Sequence, residues 1–212
     1  MVSVIITTYN YGKYVERAIR SCIDQSLDKS SFEIIVVNDC STDFTEKILE
    51  YYKPDIRVFN LKNNIGLSAA RNFGIKQARG QFVVFLDADD YIHKDLLLIE
   101  KLFLEENNKL DAVSVDYIQV DERGRHKKHL SAEKNPIACG IMFRKDLLYD
   151  IGLYDENFKA REEEELRIRF EKKYKIQNLC VPLYRYWIHE NNLTKNNKKM
   201  DFFKEKLTKK HG

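Results

Sequence analysis

The stretch Phe82-Val83-Val84-Phe85-Leu86-Asp87-Ala88-Asp89-Asp90 constrains the fold more than any other part of the chain. An apolar run of strand type ends abruptly in clustered acids. Burying the run is favourable, whereas crowding carboxylates at its tip is not, because like charges repel and desolvation is costly. A cation at the tip resolves the conflict. Hard oxygen ligands of this kind suit Mg²⁺ or Mn²⁺, with phosphates completing the shell. The simpler alternative is a solvated turn in which Asp89 or Asp90 caps a following helix.

The surrounding pattern decides how that run is used. Strand-like segments at Val2 to Thr7, Phe32 to Val37, Ile56 to Leu61 and Phe82 to Leu86 alternate with helical spacing. In the first helix Val15, Ala18, Ile19, Cys22 and Ile23 recur at that spacing. Asp43 and Glu46 read as a capping box for the second helix, and Gly66 precedes the third. Such βα alternation predicts a parallel sheet covered on both faces, whose ligands bind at the carboxyl ends of the strands. Thr7 to Asn10, Asp39 and Asp87 to Asp90 would then share one rim.

Beyond residue 90 the pattern is less regular. It predicts a helix over Lys94 to Glu106, strands at Ala112 to Val120 and Ile137 to Phe143, and a short helix from Lys145 to Asp150. A charged helix at Arg161 to Lys173 and a last strand within Ile176 to Ile188 follow. Asp121 to Pro136, with basic Arg123, Arg125, Lys127 and Lys128, reads as a mobile loop.

Composition narrows the function. With 212 residues, 43% hydrophobic and 33% charged, the chain can bury one sizeable core. A net charge of +3 gives no case for nucleic acid. The scattered cysteines 22, 40, 139 and 180 lack metal-ligand spacing and fit a reduced, cytoplasmic setting. The chain enters directly on Val2 to Ile6 with no basic leader, which reads as the absence of a signal peptide.

Taken together, several segments resemble the family 2 glycosyltransferases. They are Val4-Ile5-Ile6-Thr7-Thr8-Tyr9-Asn10, Val36-Val37-Asn38-Asp39-Cys40-Ser41-Thr42-Asp43, and Asn64-Ile65-Gly66-Leu67-Ser68-Ala69-Ala70-Arg71-Asn72-Phe73-Gly74. The acidic cluster, Arg161-Glu162-Glu163-Glu164-Glu165-Leu166 and Tyr184-Arg185-Tyr186-Trp187-Ile188-His189 complete the set in order. The resemblance implies a GT-A fold, an α/β Rossmann-like and mostly parallel sheet flanked by helices in a single domain. It implies residues 1–190 as that domain, with 1–90 binding the nucleotide-sugar and 91–190 the acceptor.

By the same resemblance Thr7, Tyr9, Asp39, Arg71 and Asp87 would bind the nucleotide-sugar. Asp89 and His189 would approach Mn²⁺ or Mg²⁺, Glu163 would be the general base, and Glu162 would touch the acceptor. The motif departs from the family, which has Asp where this chain has Glu163, so Glu162 and Glu164 stay open as bases. The implied reaction is inverting transfer from a nucleoside-diphosphate sugar, read as UDP-linked, to a glycan or lipid-linked hydroxyl. A nucleotidyltransferase and a non-catalytic nucleotide-sugar-binding subunit are the alternatives. Residues 191–212, with seven lysines and two acids, read as a basic tail. It is either solvated or a peripheral membrane contact through Phe202, Phe203 and Leu207.

Overall fold

The computed structural model describes residues 1–121, 123–189 and 197–212. Strands β1 (Val2–Thr8), β2 (Phe32–Asn38), β3 (Arg57–Asn60) and β4 (Phe82–Asp87) form one parallel half-sheet in the order β3-β2-β1-β4. Every residue of β1 is buried, as a central strand covered on both faces requires. Helix α1 (Gly12–Ile23) buries Val15, Ala18, Ile19 and Cys22, the stripe its spacing predicted. Helix α2 (Thr45–Tyr52) follows β2, and helix α3 (Leu67–Gln77) lies so close to β1 that a Cβ on Gly74 would meet Ile5.

The second half extends the same sheet with mixed polarity. Strands β5 (Tyr91–Ile92), β6 (Ala112–Val120), β7 (His126–Leu130), β8 (Ile141–Arg144) and β9 (Ile176–Trp187) complete the order β3-β2-β1-β4-β8-β6-β9-β5, with β7 beside β6. Strand β8 is antiparallel to β4 and β6, whereas β9 runs parallel to β6. Helices α4 (Leu96–Glu106), α5 (Lys145–Asp150) and α6 (Glu162–Glu171) flank it. One main apolar core runs through both halves.

Four sequence expectations change. Asp121 to Pro136 is not all loop, because β7 pairs antiparallel with β6 inside it. The Asp43 carboxylate accepts from the amides of Thr45 and Gly12 at 2.9 and 3.0 Å, while Glu46 accepts from Asn60, so no capping box forms. Neither Asp89 nor Asp90 caps a helix, since β5 intervenes before α4. In the C-terminal segment, residues 191–196 lie outside the described residues, but Asn197–His211 is a helix, α7. Phe203 of α7 is buried against Phe158, and Lys210 pairs with Asp155 and Glu165 at 2.7 and 2.6 Å. Two of the three residues of the expected apolar stripe, Phe203 and Leu207, therefore pack inward, and Phe202 is left largely exposed.

Candidate functional site

The register of the parallel half-sheet aligns its carboxyl ends. Thr7 lies beside Asp87 and Val37, and Thr8 beside Asn38. The loops beyond these ends form the rim. Asn10 and Cys40 hold left-handed backbone there, with φ of 57° and 64°. Asparagine tolerates this conformation, and its Oδ1 accepts from the Thr42 amide at 2.7 Å, tying the first rim loop to the second.

Asp39 is buried at this rim. Its two oxygens accept from the amides of Ile65 and Gly66 at 2.7 and 2.9 Å, which fixes the entry to α3. Gly66 needs its φ of 87° to present that amide. Each carboxylate oxygen keeps a second lone pair, so the same group can still accept from a ligand. Tyr9, 45% exposed, stands open on the rim, and Thr7 is almost fully covered.

The acidic cluster divides into three environments. Asp87, Asp89 and Asp90 each offer an oxygen within 4.8 Å of the others. Asp87 accepts from Arg71 at 2.9 Å. Asp89 meets His189 Nε2 at 2.7 Å. Asp90 is turned inward, where it accepts from the Tyr184 hydroxyl at 2.6 Å and the Trp187 amide at 2.8 Å. Burial, followed by the Asp87 charge, raises Asp89 above the ordinary carboxylate range despite its hydrogen bond to His189. Burial and the charges of Asp89 and Asp87 push Asp90 well above it. A donor set of hard oxygens whose ionised forms are disfavoured by one another fits a divalent cation, which would relieve that repulsion. Asp87 and Asp89 are the members placed to hold it.

Arg71 joins this cluster to the second acidic stretch. The resemblance places Arg71 near the nucleotide-sugar or its diphosphate. In the structure it is 2% exposed and both arms meet carboxylates: Nη2 that of Asp87, and Nη1 that of Glu162 at 2.8 Å. Its guanidinium lies 5.4 Å from the Tyr154 ring centre and 5.8 Å from that of Phe85. Burial alone would lower its pKa, but Tyr154, Asp87 and Glu162 hold it well above the ordinary value.

Helix α6 opens on Arg161, left-handed at φ 55°, and places all four glutamates in its first turn, where the helix dipole favours them. Three have cations: Glu162 has Arg71, Glu164 has Arg161 at 2.5 Å, and Glu165 has Arg169 and Lys210. Glu163 faces a cavity of about 270 Å³ shared with Pro136, Ile137, Ala138 and Arg167. Burial and the Glu162 charge raise its carboxyl to about 8. A carboxylate of raised pKa at a cavity mouth has the properties of a proton acceptor near neutral pH.

The structure thus brings Asp87, Asp89, His189, Arg71, Glu162 and Glu163 into one connected group, with Thr7, Tyr9 and Asp39 along the adjoining rim. Sequence reasoning missed three supports. They are Tyr154 beneath Arg71, Tyr14 stacked 5.1 Å from His189, and Arg17, which donates to the Asp89 carbonyl. Tyr14 and Arg17 sit one turn apart on α1, a spacing that a search for strand-end acids does not interrogate.

Residues 3–175 match the model of the family described as glycosyl transferase family 2. The chain belongs to that family. It is 41% identical over 125 residues to the poly(ribitol-phosphate) beta-N-acetylglucosaminyltransferase TarS of Staphylococcus aureus (strain Mu50 / ATCC 700699), covering 58% of this chain and 22% of TarS. It is 32% identical over 208 residues to the minor teichoic acid biosynthesis protein GgaB of Bacillus subtilis (strain 168), covering 89% of this chain and 23% of GgaB. The chain therefore spans less than a quarter of either relative. Among solved structures, S. aureus TarS 1–349 in complex with UDP-GlcNAc superposes with a TM-score of 0.79 at 29% identity, over 92% of this chain and 60% of that one. The mannosyltransferase PcManGT of Pyrobaculum calidifontis, solved with GDP-Man and Mn²⁺, shares the fold with a TM-score of 0.72 at 19% identity. The sheet described above is thus a GT-A sheet, in a family 2 chain.

Proposed function

We propose that this chain is an inverting, metal-dependent glycosyltransferase that moves a sugar from a UDP-sugar to a hydroxyl of a cell-wall or cell-surface polysaccharide acceptor. The observation that supports it most is the Arg71 bridge. A single buried guanidinium ties the strand-end acids to the helix bearing Glu163, so a donor held at one would lie beside a base at the other. The name of TarS and the UDP-GlcNAc held by TarS favour N-acetylglucosamine as the donor sugar, and the name of GgaB favours a teichoic acid acceptor.

In this reading Tyr9 covers the uracil ring, and the outer lone pairs of Asp39 accept its imide N–H. Thr7 and Asp87 line the ribose and sugar. Asp89, oriented by His189, would hold Mn²⁺ or Mg²⁺ together with Asp87. Bound there, the ion would neutralise charge growing on the departing diphosphate. Glu162, fixed by Arg71, accepts a hydrogen bond from an acceptor hydroxyl. Glu163 takes the proton of the attacking hydroxyl as its oxygen bonds to the anomeric carbon and the bond to the diphosphate breaks. One in-line displacement inverts that carbon. A cytoplasmic location at the inner membrane face belongs to the same proposal; among the described residues no helix is long and apolar enough to cross a membrane.

The test separates binding from chemistry. Thermal shift against UDP, dTDP, GDP and CDP, each with and without Mn²⁺, is expected to single out UDP with metal. Asp89→Ala is expected to lose that response and all transfer. Glu163→Gln is expected to keep the response and lose transfer by about 10²–10⁴-fold, the usual worth of a general base. Equal loss of UDP binding in both variants would refute the assignment, and wild-type binding without turnover on any acceptor would favour a non-catalytic binding subunit.

A further inference from the structure

One face of α1 is fastened along the chain that leaves β4. Arg17 Nη2 donates to the Asp89 carbonyl at 2.6 Å. Ser21 Oγ accepts from the Ile92 amide at 3.2 Å. Gln25 donates to the His93 carbonyl and accepts from the Leu97 amide, at 2.9 and 3.0 Å. These positions recur every four residues as one polar stripe, two on α1 opposite its core stripe and the third, Gln25, just past its end.

Arg17 differs from the other two. Ser21 and Gln25 act on β5 and the start of α4, away from the acids. Arg17 acts on Asp89 itself, whose carboxylate is gripped from the other side by His189. Its guanidinium is 4.0 Å from the Trp187 ring centre and 4.6 Å from that of Tyr91. Trp187 in turn donates its amide to Asp90. The planar cation is therefore held beside rings of the paired strands β5 and β9.

This arrangement has a cost. Arg17 Nε is buried without an acceptor, an omission worth about 1–3 kcal/mol. A methionine would fill the slot between two rings without that penalty. An arginine retained for packing alone is hard to account for, whereas one that sets the Asp89 peptide has a task that only a charged, planar donor performs.

We propose that Arg17 is a positioning residue that fixes the Asp89 backbone so that the Asp89 carboxylate is presented to the divalent cation. The inference rests on the functional reading above, in which Asp89 holds metal. Groups that orient a metal-binding carboxylate typically contribute 10–100-fold to metal affinity when removed.

The experiment is Mn²⁺ binding to the nucleotide-free protein, read by the loss of the free-ion electron paramagnetic resonance signal, with melting temperature measured alongside. Arg17→Met is expected to weaken Mn²⁺ by about tenfold or more. Arg17→Lys keeps a donor for the Asp89 carbonyl but cannot lie flat between two rings, and is expected to recover part of the loss. Ser21→Ala loosens the same stripe without touching Asp89 and is expected to lower the melting temperature with Mn²⁺ affinity unchanged. An Arg17→Met protein that binds Mn²⁺ as well as wild type, or more tightly, overturns the proposal. So does a Ser21→Ala protein that loses as much affinity as Arg17→Met. Wild-type protein that takes up no Mn²⁺ overturns this proposal and the metal assignment together, while a binding wild type with an unaffected Arg17→Met overturns this one only.

Discussion

The molecule holds two acidic stretches that resemble each other in composition and differ in how geometry divides them. The strand end Asp87-Ala88-Asp89-Asp90 fans its acids around a turn. One goes to Arg71, one to His189, and one goes inward to Tyr184 and the Trp187 amide. The helix start Glu162 to Glu165 spreads its acids around a first turn, and three of them find cations. Within each stretch the proposed function gives the chemistry to one carboxylate. In the first it is Asp89, held near other acids and against His189. In the second it is Glu163, raised to about 8 beside a cavity.

The largest way to break this comparison is to remove its link. Arg71→Ala would leave the Asp87 and Glu162 carboxylates facing each other across a buried gap. Breaking a buried pair by deleting one partner costs about 3–5 kcal/mol, on the order of 10 °C in melting temperature for a chain of this size. Arg71→Lys, a point charge on a flexible stem, cannot span both partners and is expected to fall between the two. If Arg71→Ala melts within a degree or two of wild type, the two stretches are not coupled through it.

A second test uses pH. The proposed base Glu163 would have to be deprotonated to act, and its carboxyl is raised to about 8 from an ordinary 4.5. The rate at low substrate is therefore expected to rise through pH 8 and level off above it. Stability moves the other way. Between pH 4.5 and 8 the folded chain keeps a proton on Glu163 that the unfolded chain has released, so stability falls as pH rises across that window. The deficit is absent below 4.5 and complete above 8. Glu163→Gln is accordingly expected to melt higher than wild type at pH 8.5 and alike at pH 4.5, the gap opening between those values. A parallel shift at both pH values would show that the carboxyl is not held neutral by its surroundings.

The contrast between the stretches also explains what the sequence could convey. The parallel half-sheet was legible because Val2 to Thr7, Phe32 to Val37 and Phe82 to Leu86 are near-continuous apolar runs, as a doubly covered sheet requires. The convergence of Asp39 and Asp87 to Asp90 followed from that topology. The second half was harder, because β7, His126-Lys127-Lys128-His129-Leu130, is polar in all but its last residue and pairs with β6. No hydrophobic period marks such a strand. Arg71 was singled out for its cation, but its partner was not foreseeable, since Glu162 is 91 positions away and only the closed fold brings it near. The docking of α7 escaped for a related reason. Lys206 and Lys210 read as solvated charges, yet the first lies 4.9 Å from the Phe158 ring centre and the second pairs with buried Glu165.

The smallest expected effect comes from an acid that belongs to neither stretch. Glu100 lies on the buried stripe of α4 with Leu96, Leu97 and Leu104, fully enclosed. Neither of its oxygens has a hydrogen-bond partner of good geometry, and burial drives its carboxyl well above the ordinary range. It shares with Glu163 the loss of solvent but has no acidic neighbour among the causes of its shift and no place at the rim. Its raised pKa also makes stability fall as pH rises from the ordinary value of 4.5 through the folded value, so Glu100→Gln should match wild type at pH 4.5 and exceed it at alkaline pH. Transfer should be unaffected at both. If Glu100→Gln instead lowers transfer while the melting temperature holds, then α4 contributes to the site, and position at the rim is not what separates a reactive buried acid from an inert one.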